Sequence, residues 1–250
     1  MITIIFGPPR IGKTAFMVKK LNEIAFDTER NRIMQAVIQA KNDIEGRKLT
    51  IPEHCVSANF EITFKKEFYS PRYARVIDPN RLGFANEKVK THFILPYETF
   101  GIMEAQQYYN SREFGSFPKW QSSLFEQHGH NHLNFYMDTQ RPGLIDINIR
   151  ELAQFIEIRN LAIKYDKYGR ITEMEWTVRE FDNSGAVDEY MKSSKKDRSL
   201  YFEYKETYCR DIFKQYNSCY CESKFYEGHD NEDFDLAYSA EYLKDSIQGA

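Results

Sequence analysis

MITIIF-GPPRIGKT, residues 1–14, decides the fold. Its first six residues form a short apolar stretch of the kind buried in a parallel sheet. Gly7, Pro8, Pro9, Arg10, Ile11, Gly12, Lys13 and Thr14 follow at once, in the pattern G-x-x-x-x-G-K-[ST]. From Thr14 the periodicity becomes helical, with Phe16, Met17, Leu21, Ile24 and Ala25 on one side. A strand before the motif and a helix after it are the context that gives the motif chemical meaning. Gly7 and Gly12 allow backbone N–H groups to turn inward around phosphate oxygens, and the helix points its positive end at the same anion. Lys13 reaches the β- and γ-phosphates, and the Thr14 hydroxyl suits Mg²⁺. Residues 7–14 are therefore expected to bind ATP, with Mg²⁺ as its counter-ion.

Outward from this loop the pattern stays α/β. A second helical stretch covers residues 30–45, with Ile33, Met34, Val37, Ile38 and Ile44. Strand-like pieces come next at 56–64, 73–77, 92–96, 99–103 and 133–137. Residues 154–165 and 170–181 alternate on either side of Asp166-Lys167-Tyr168-Gly169 and predict a β-hairpin. The expected fold is a P-loop NTPase: a central, mostly parallel sheet flanked by helices, with a hairpin and a C-terminal extension. Residues 1–182 would form the ATPase domain, its core about 1–160. Residues 183–250 would form the extension, which ends from His229 in an acidic, mobile tail.

Hydrolysis needs a carboxylate near the attacking water, at the end of a strand beside the loop. Glu104, after the apolar run 99–103, is the candidate general base. Gln140, at the end of the strand-like piece 133–137, is a candidate for sensing the γ-phosphate through that water. Asp138 on the same piece is a candidate to assist Thr14 with Mg²⁺. Arg112, Arg141 and Arg150 are candidates to reach a neighbouring subunit's nucleotide.

Several short motifs, in order, resemble the zonular-occludens-toxin-like family, which includes the assembly ATPases of filamentous phages. They are GPPRIGKT at 7–14, Ser57-Ala58-Asn59-Phe60, Met103-Glu104-Ala105-Gln106, His128-Gly129-His130 and Thr139-Gln140-Arg141-Pro142. Tyr216-Asn217-Ser218 echoes a further element near the end of such domains. The resemblance covers roughly residues 1–160. It implies a motor ATPase of a phage or mobile element, acting in virion assembly, DNA packaging or extrusion. It also implies a homo-oligomer, a hexamer among the options, whose partners are phage DNA and virion or membrane assembly proteins. The alternative is a non-motor nucleotide-binding assembly factor with weak or no hydrolysis. A small-molecule kinase is a third option, for which no lid is evident. Two positions depart from the family pattern. Met103 stands where relatives place the acid that serves Mg²⁺, and a thioether does not serve a hard cation. Gly129 stands where relatives often have arginine.

Composition sets wide bounds. Charged residues make up 28% and hydrophobic residues 42%, which fits a globular chain rather than a disordered one. The net charge of −3 neither supports nor excludes a nucleic-acid partner, because a basic face can be local. No run of eighteen apolar residues is present, so no membrane span is expected. The expected location is the cytoplasm of a bacterial host, with membrane association supplied by partners. His128, His130 and His132 would share one face of a strand and offer a metal site, as would Cys209, Cys219, Cys221 and His229. Ordinary polar roles are favoured for both sets, since the histidines lack a completing ligand and C-x-C is tighter than zinc spacing. Tyr201, Phe202, Tyr204 and Tyr208 beside Lys195, Lys196 and Arg198 offer stacking for single-stranded DNA, with core packing the favoured role.

Overall fold

The computed structural model describes residues 1–46, 50–84, 90–113, 118–193 and 197–216. The acidic tail, Asn217, Ser218, Cys219, Cys221, His229, Lys195 and Lys196 lie outside these residues. Among the described residues, no helix is long and apolar enough to cross a membrane.

The strands are β1 (Ile2–Phe6), β2 (Val56–Ala58), β3 (Thr63–Phe64), β4 (Arg72–Tyr73), β5 (Arg75–Val76), β6 (Thr99–Ile102), β7 (Asn134–Thr139), β8 (Ala153–Tyr165), β9 (Ile171–Phe181) and β10 (Phe202–Tyr208). The main helices are α1 (Lys13–Ala25), α2 (Thr28–Glu45), α3 (Lys119–Glu126), α4 (Ile147–Arg150) and α5 (Ser184–Lys192). An eight-stranded sheet runs in the order β10-β9-β8-β1-β7-β6-β2-β5. From β8 to β5 every neighbouring pair is parallel, whereas β8–β9 and β9–β10 are antiparallel. The fold is thus α/β with a mostly parallel sheet, as the sequence implied.

Alternation along the strands divides the core into two faces. Ile4, Phe100, Phe135 and Phe155 face one side, where Leu124, Ile149 and Tyr190 of α3, α4 and α5 cover them. Ile5, Tyr136, Ile156 and Trp176 face the other, against Phe16, Met17 and Leu21 of α1. Gly101 on β6 is where α1 comes closest. A Cβ there would lie 2.4 Å from Leu21 Cδ1, so any larger residue would have to displace that buried side chain. The part of the chain expected as a C-terminal extension supplies α5 and β10, and β10 pairs along β9 of the same sheet.

Three expected strands differ. Residues 73–77 are divided between β4 and β5, which pair with β3 and β2 in different sheets. Residues 56–64 do not run as one strand. Between β2 and β3 the chain turns at Asn59, whose side chain bonds the backbone of Met103. Residues 92–96 form no strand. Their backbone groups bond side chains instead: Arg75 Nη1 donates to the Phe93 carbonyl at 2.8 Å, and the Leu95 N–H donates to Glu98 at 2.7 Å. An apolar run satisfied in this way has no need of a ladder.

Candidate functional site

β1 ends at Phe6, and the chain folds back on itself before α1 begins at Lys13. The turn requires left-handed backbone at Gly12 (φ 86°, ψ 24°) and at Arg10 (φ 61°). Gly12 caps α1 without a side-chain hydrogen bond, and the first turn of α1 carries no acid. The free amides and positive end of this helix therefore face the loop without an acid of their own first turn. Lys13 is buried, and its Nζ donates to the Pro8 carbonyl at 3.0 Å. That bond lies within residues 7–14, so the ammonium is held against the loop's own backbone.

Thr14 meets Asp138. The hydroxyl donates to Asp138 Oδ2 at 2.5 Å, and the Glu104 amide donates to Oδ1 at 2.6 Å. Asp138 is fully buried, and among the described residues no ion pair neutralises it. Burial raises its pKa to about 6, against the lowering by the Thr14 and Glu104 hydrogen bonds. A buried carboxylate beside a hydroxyl, with the Lys13 charge near but no ion pair to it among the described residues, is an all-oxygen donor pair that fits Mg²⁺.

The register explains why Asp138 stands there. β1 and β7 are neighbours, with Ile5 opposite Asp138 and Phe6 opposite Thr139. β6 lies on the other side of β7, with Ile102 opposite Met137. Met103 and Asp138 thus continue the two strands at the same height, and both belong to the α1 face. Met103 packs against the apolar cluster under α1.

Glu104 follows in a left-handed turn (φ 51°, ψ 47°), and its Oε2 accepts a hydrogen bond from Gln106 Nε2. Asn59 fixes this turn from one residue upstream. Its Oδ1 accepts from the Met103 N–H at 2.8 Å, and its Nδ2 donates to the Met103 carbonyl at 3.0 Å. Gln140, immediately past β7, is exposed. Tyr216 packs against Phe60 with ring centroids 6.0 Å apart. Burial, reinforced by the charge of Asp138, holds its hydroxyl protonated well above the ordinary range.

Solved structures resemble this chain at low identity. The N-terminal domain of zonular occludens toxin from Neisseria meningitidis is 19% identical, with a TM-score of 0.46, over 86% of this chain and 98% of that one. The genome packaging NTPase B204 from Sulfolobus turreted icosahedral virus 2, in complex with ATP-gammaS, is 9% identical, with a TM-score of 0.34, over 84% of this chain and 97% of that one. The same NTPase in complex with AMPPCP is 11% identical, with a TM-score of 0.34, over 72% of this chain and 95% of that one. No family model matches the chain, and no curated protein matches it.

The remaining sequence candidates lie apart from the loop or on the surface. Arg150 pairs with Asp188 of α5 at 3.6 Å, while Arg112 and Arg141 are exposed. His128, His130 and His132 occupy a turn before β7 rather than a strand: the Leu133 N–H closes onto the His128 carbonyl, and His132 adopts φ 55°. The His132 ring stacks on Tyr97 at 4.6 Å. On β10, Phe202 is exposed and stacks on Tyr204, and Tyr201 packs against Tyr190.

Sequence reasoning missed Asn59, which bonds the Met103 backbone, and Leu161 and Trp176, which lie against Gly12 of the loop. Asn59 carried a signal, since it stands in the Ser57–Phe60 motif. Leu161 and Trp176 carried none, because their contact with the loop spans more than a hundred residues of chain.

Proposed function

We propose that this protein is a Mg²⁺-dependent P-loop ATPase serving the assembly, packaging or extrusion machinery of a phage or mobile element. The observation that carries the ATPase reading is the meeting of Thr14 and Asp138 at 2.5 Å, beside a loop that ends in a helix N-terminus. Backbone amides at 12–14 would hold the β-phosphate. Lys13 would exchange the Pro8 carbonyl for phosphate oxygens. Thr14 and Asp138 would hold Mg²⁺, which when bound screens charge between the β- and γ-phosphates. Glu104 would accept a proton from the attacking water, after Gln106 releases its carboxylate. Gln140 would orient that water from the end of β7.

The phage or mobile-element role rests on the ordered motifs at 7–14, 57–60, 103–106, 128–130 and 139–142. In this account residues 1–182 are the ATPase domain and 183–250 its extension. The enzyme works as a homo-oligomer in the host cytoplasm, with phage DNA and virion or membrane assembly proteins as partners. A non-motor assembly factor is the second reading, favoured by the Glu104 carboxylate being occupied by Gln106. Turnover assayed with and without single- and double-stranded DNA separates them. A motor shows Mg²⁺-dependent hydrolysis that DNA accelerates. An assembly factor binds nucleotide but shows neither turnover nor a DNA effect.

A further inference from the structure

Both glycines of the phosphate loop touch the β8–β9 hairpin. A Cβ on Gly7 would lie 2.7 Å from the Ile158 carbonyl oxygen. A Cβ on Gly12 would lie 2.6 Å from Leu161 Cδ2 and 3.2 Å from Trp176 Nε1. The motif explains these glycines by the close approach of phosphate. The structure adds a second reason, because the hairpin lies against the loop from the other side.

One contact is polar. Trp176 is fully buried on β9, edge-on to Phe16 of α1 at 5.8 Å, and its indole N–H donates to the Gly12 carbonyl at 3.2 Å. The same carbonyl accepts the first helical bond, from the Phe16 N–H at 3.0 Å. The Gly12 oxygen therefore has two donors in fixed directions. A trans peptide is planar, with its N–H antiparallel to its C=O. Fixing the Gly12 oxygen thus fixes the Lys13 N–H, which points out of the helix N-terminus toward the anion's place. Gly12 itself resists this poorly, since glycine has the widest conformational freedom of any residue.

We infer that Trp176 is a positioning residue for nucleotide binding: its indole holds the Gly12–Lys13 peptide in the orientation that presents the Lys13 amide to phosphate. The hairpin is then part of the nucleotide site, and the indole senses whether that site is filled. This inference rests on the nucleotide-binding reading above and adds a residue outside the phosphate-loop motif.

Trp176→Phe keeps an aromatic ring against Phe16 and removes the donor. Affinity for ATP-gammaS with Mg²⁺, measured well below the melting temperature, should fall roughly 3- to 10-fold, the size of one neutral hydrogen bond. A merely structural role for Trp176 would lower the melting temperature of Trp176→Phe and leave the ATP-gammaS affinity of the folded protein unchanged. In a Trp120→Phe background Trp176 is the sole tryptophan, and its emission should change as ATP-gammaS saturates the site. Unchanged affinity in a folded Trp176→Phe protein overturns the inference. So does a silent Trp176 emission while Lys13-dependent binding persists. If Trp176→Phe does not fold, the emission measurement decides alone. Failure of the wild type to bind ATP-gammaS at all would remove the nucleotide reading, and this inference with it.

Discussion

The ends of β6 and β7 are neighbours at one height of the sheet, and they differ in a single respect that matters for a hard cation. Met103 follows β6 directly, and its side chain joins the apolar cluster beneath α1. β7 carries Asp138, whose carboxylate touches both Thr14 and the Glu104 amide. β7 is also the strand paired with β1, so its acid stands nearer the phosphate loop than a β6 residue would. The contrast teaches that two strand ends at one height and on one face can offer opposite chemistry, an apolar side chain on one and a buried carboxylate on the other. In the proposed site a methionine at 103 leaves the metal's carboxylate to Asp138. It frees the end of β6 to hold only Glu104, through a backbone that Asn59 grips on both its N–H and its carbonyl.

The largest effect tests whether this comparison concerns a nucleotide site at all. Lys13→Ala should reduce Mg²⁺-dependent ATP hydrolysis to background in a phosphate-release assay, because it removes the cation that serves the β- and γ-phosphates. Wild-type turnover in a folded Lys13→Ala protein would detach both strand ends from ATP chemistry.

Glu104→Gln probes the base proposed just past β6. It should slow turnover roughly 10²–10⁴-fold and leave ATP-gammaS affinity nearly unchanged, the pattern for loss of a general base. Comparable loss of affinity and turnover would instead mean that Glu104 shapes the site through its left-handed turn.

The smallest effect sharpens the contrast directly. Met103→Asp should give no gain in turnover, within about 2-fold, and should lower the melting temperature. The new carboxylate would face Asp138 across the ladder, and like charges at that distance in a partly buried place oppose one another. A clear rise in Mg²⁺-dependent turnover would show that Asp138 had not filled the missing acid's place.

Much of this architecture was legible in the sequence, and for local reasons. The strand, loop and first helix were readable because each residue type from Met1 to Ala25 serves a nearby backbone need. The hairpin was readable from alternation around Asp166–Gly169, and its strands deviate by a residue from the expected ends. Asp138 was a candidate because it ends an apolar run, but its meeting with Thr14 depends on β7 being inserted between β1 and β6, which no local pattern encodes. The strand expected at 92–96 failed because side chains satisfy its backbone instead, Arg75 from β5 and Glu98 from the turn that follows. The contribution of Trp176 to the loop was invisible for the same reason: 164 residues separate it from Gly12.

The central claim is that Asp138 supplies the metal's carboxylate. Calorimetric titration of ATP-gammaS into wild-type and Asp138→Asn protein, each with Mg²⁺ and with excess EDTA, tests it most directly. Asparagine preserves the shape and can still bond Thr14 and the Glu104 amide, but it carries no charge. Because the folded-state pKa of Asp138 is raised to about 6, its ionised form costs stability as pH rises through that value. At pH 7 without Mg²⁺ the variant should therefore melt no lower than wild type. The account predicts that Mg²⁺ tightens wild-type binding by at least about tenfold, and that Asp138→Asn loses most of this gain while binding as wild type does in EDTA. A folded Asp138→Asn protein that keeps the full Mg²⁺ gain would contradict it.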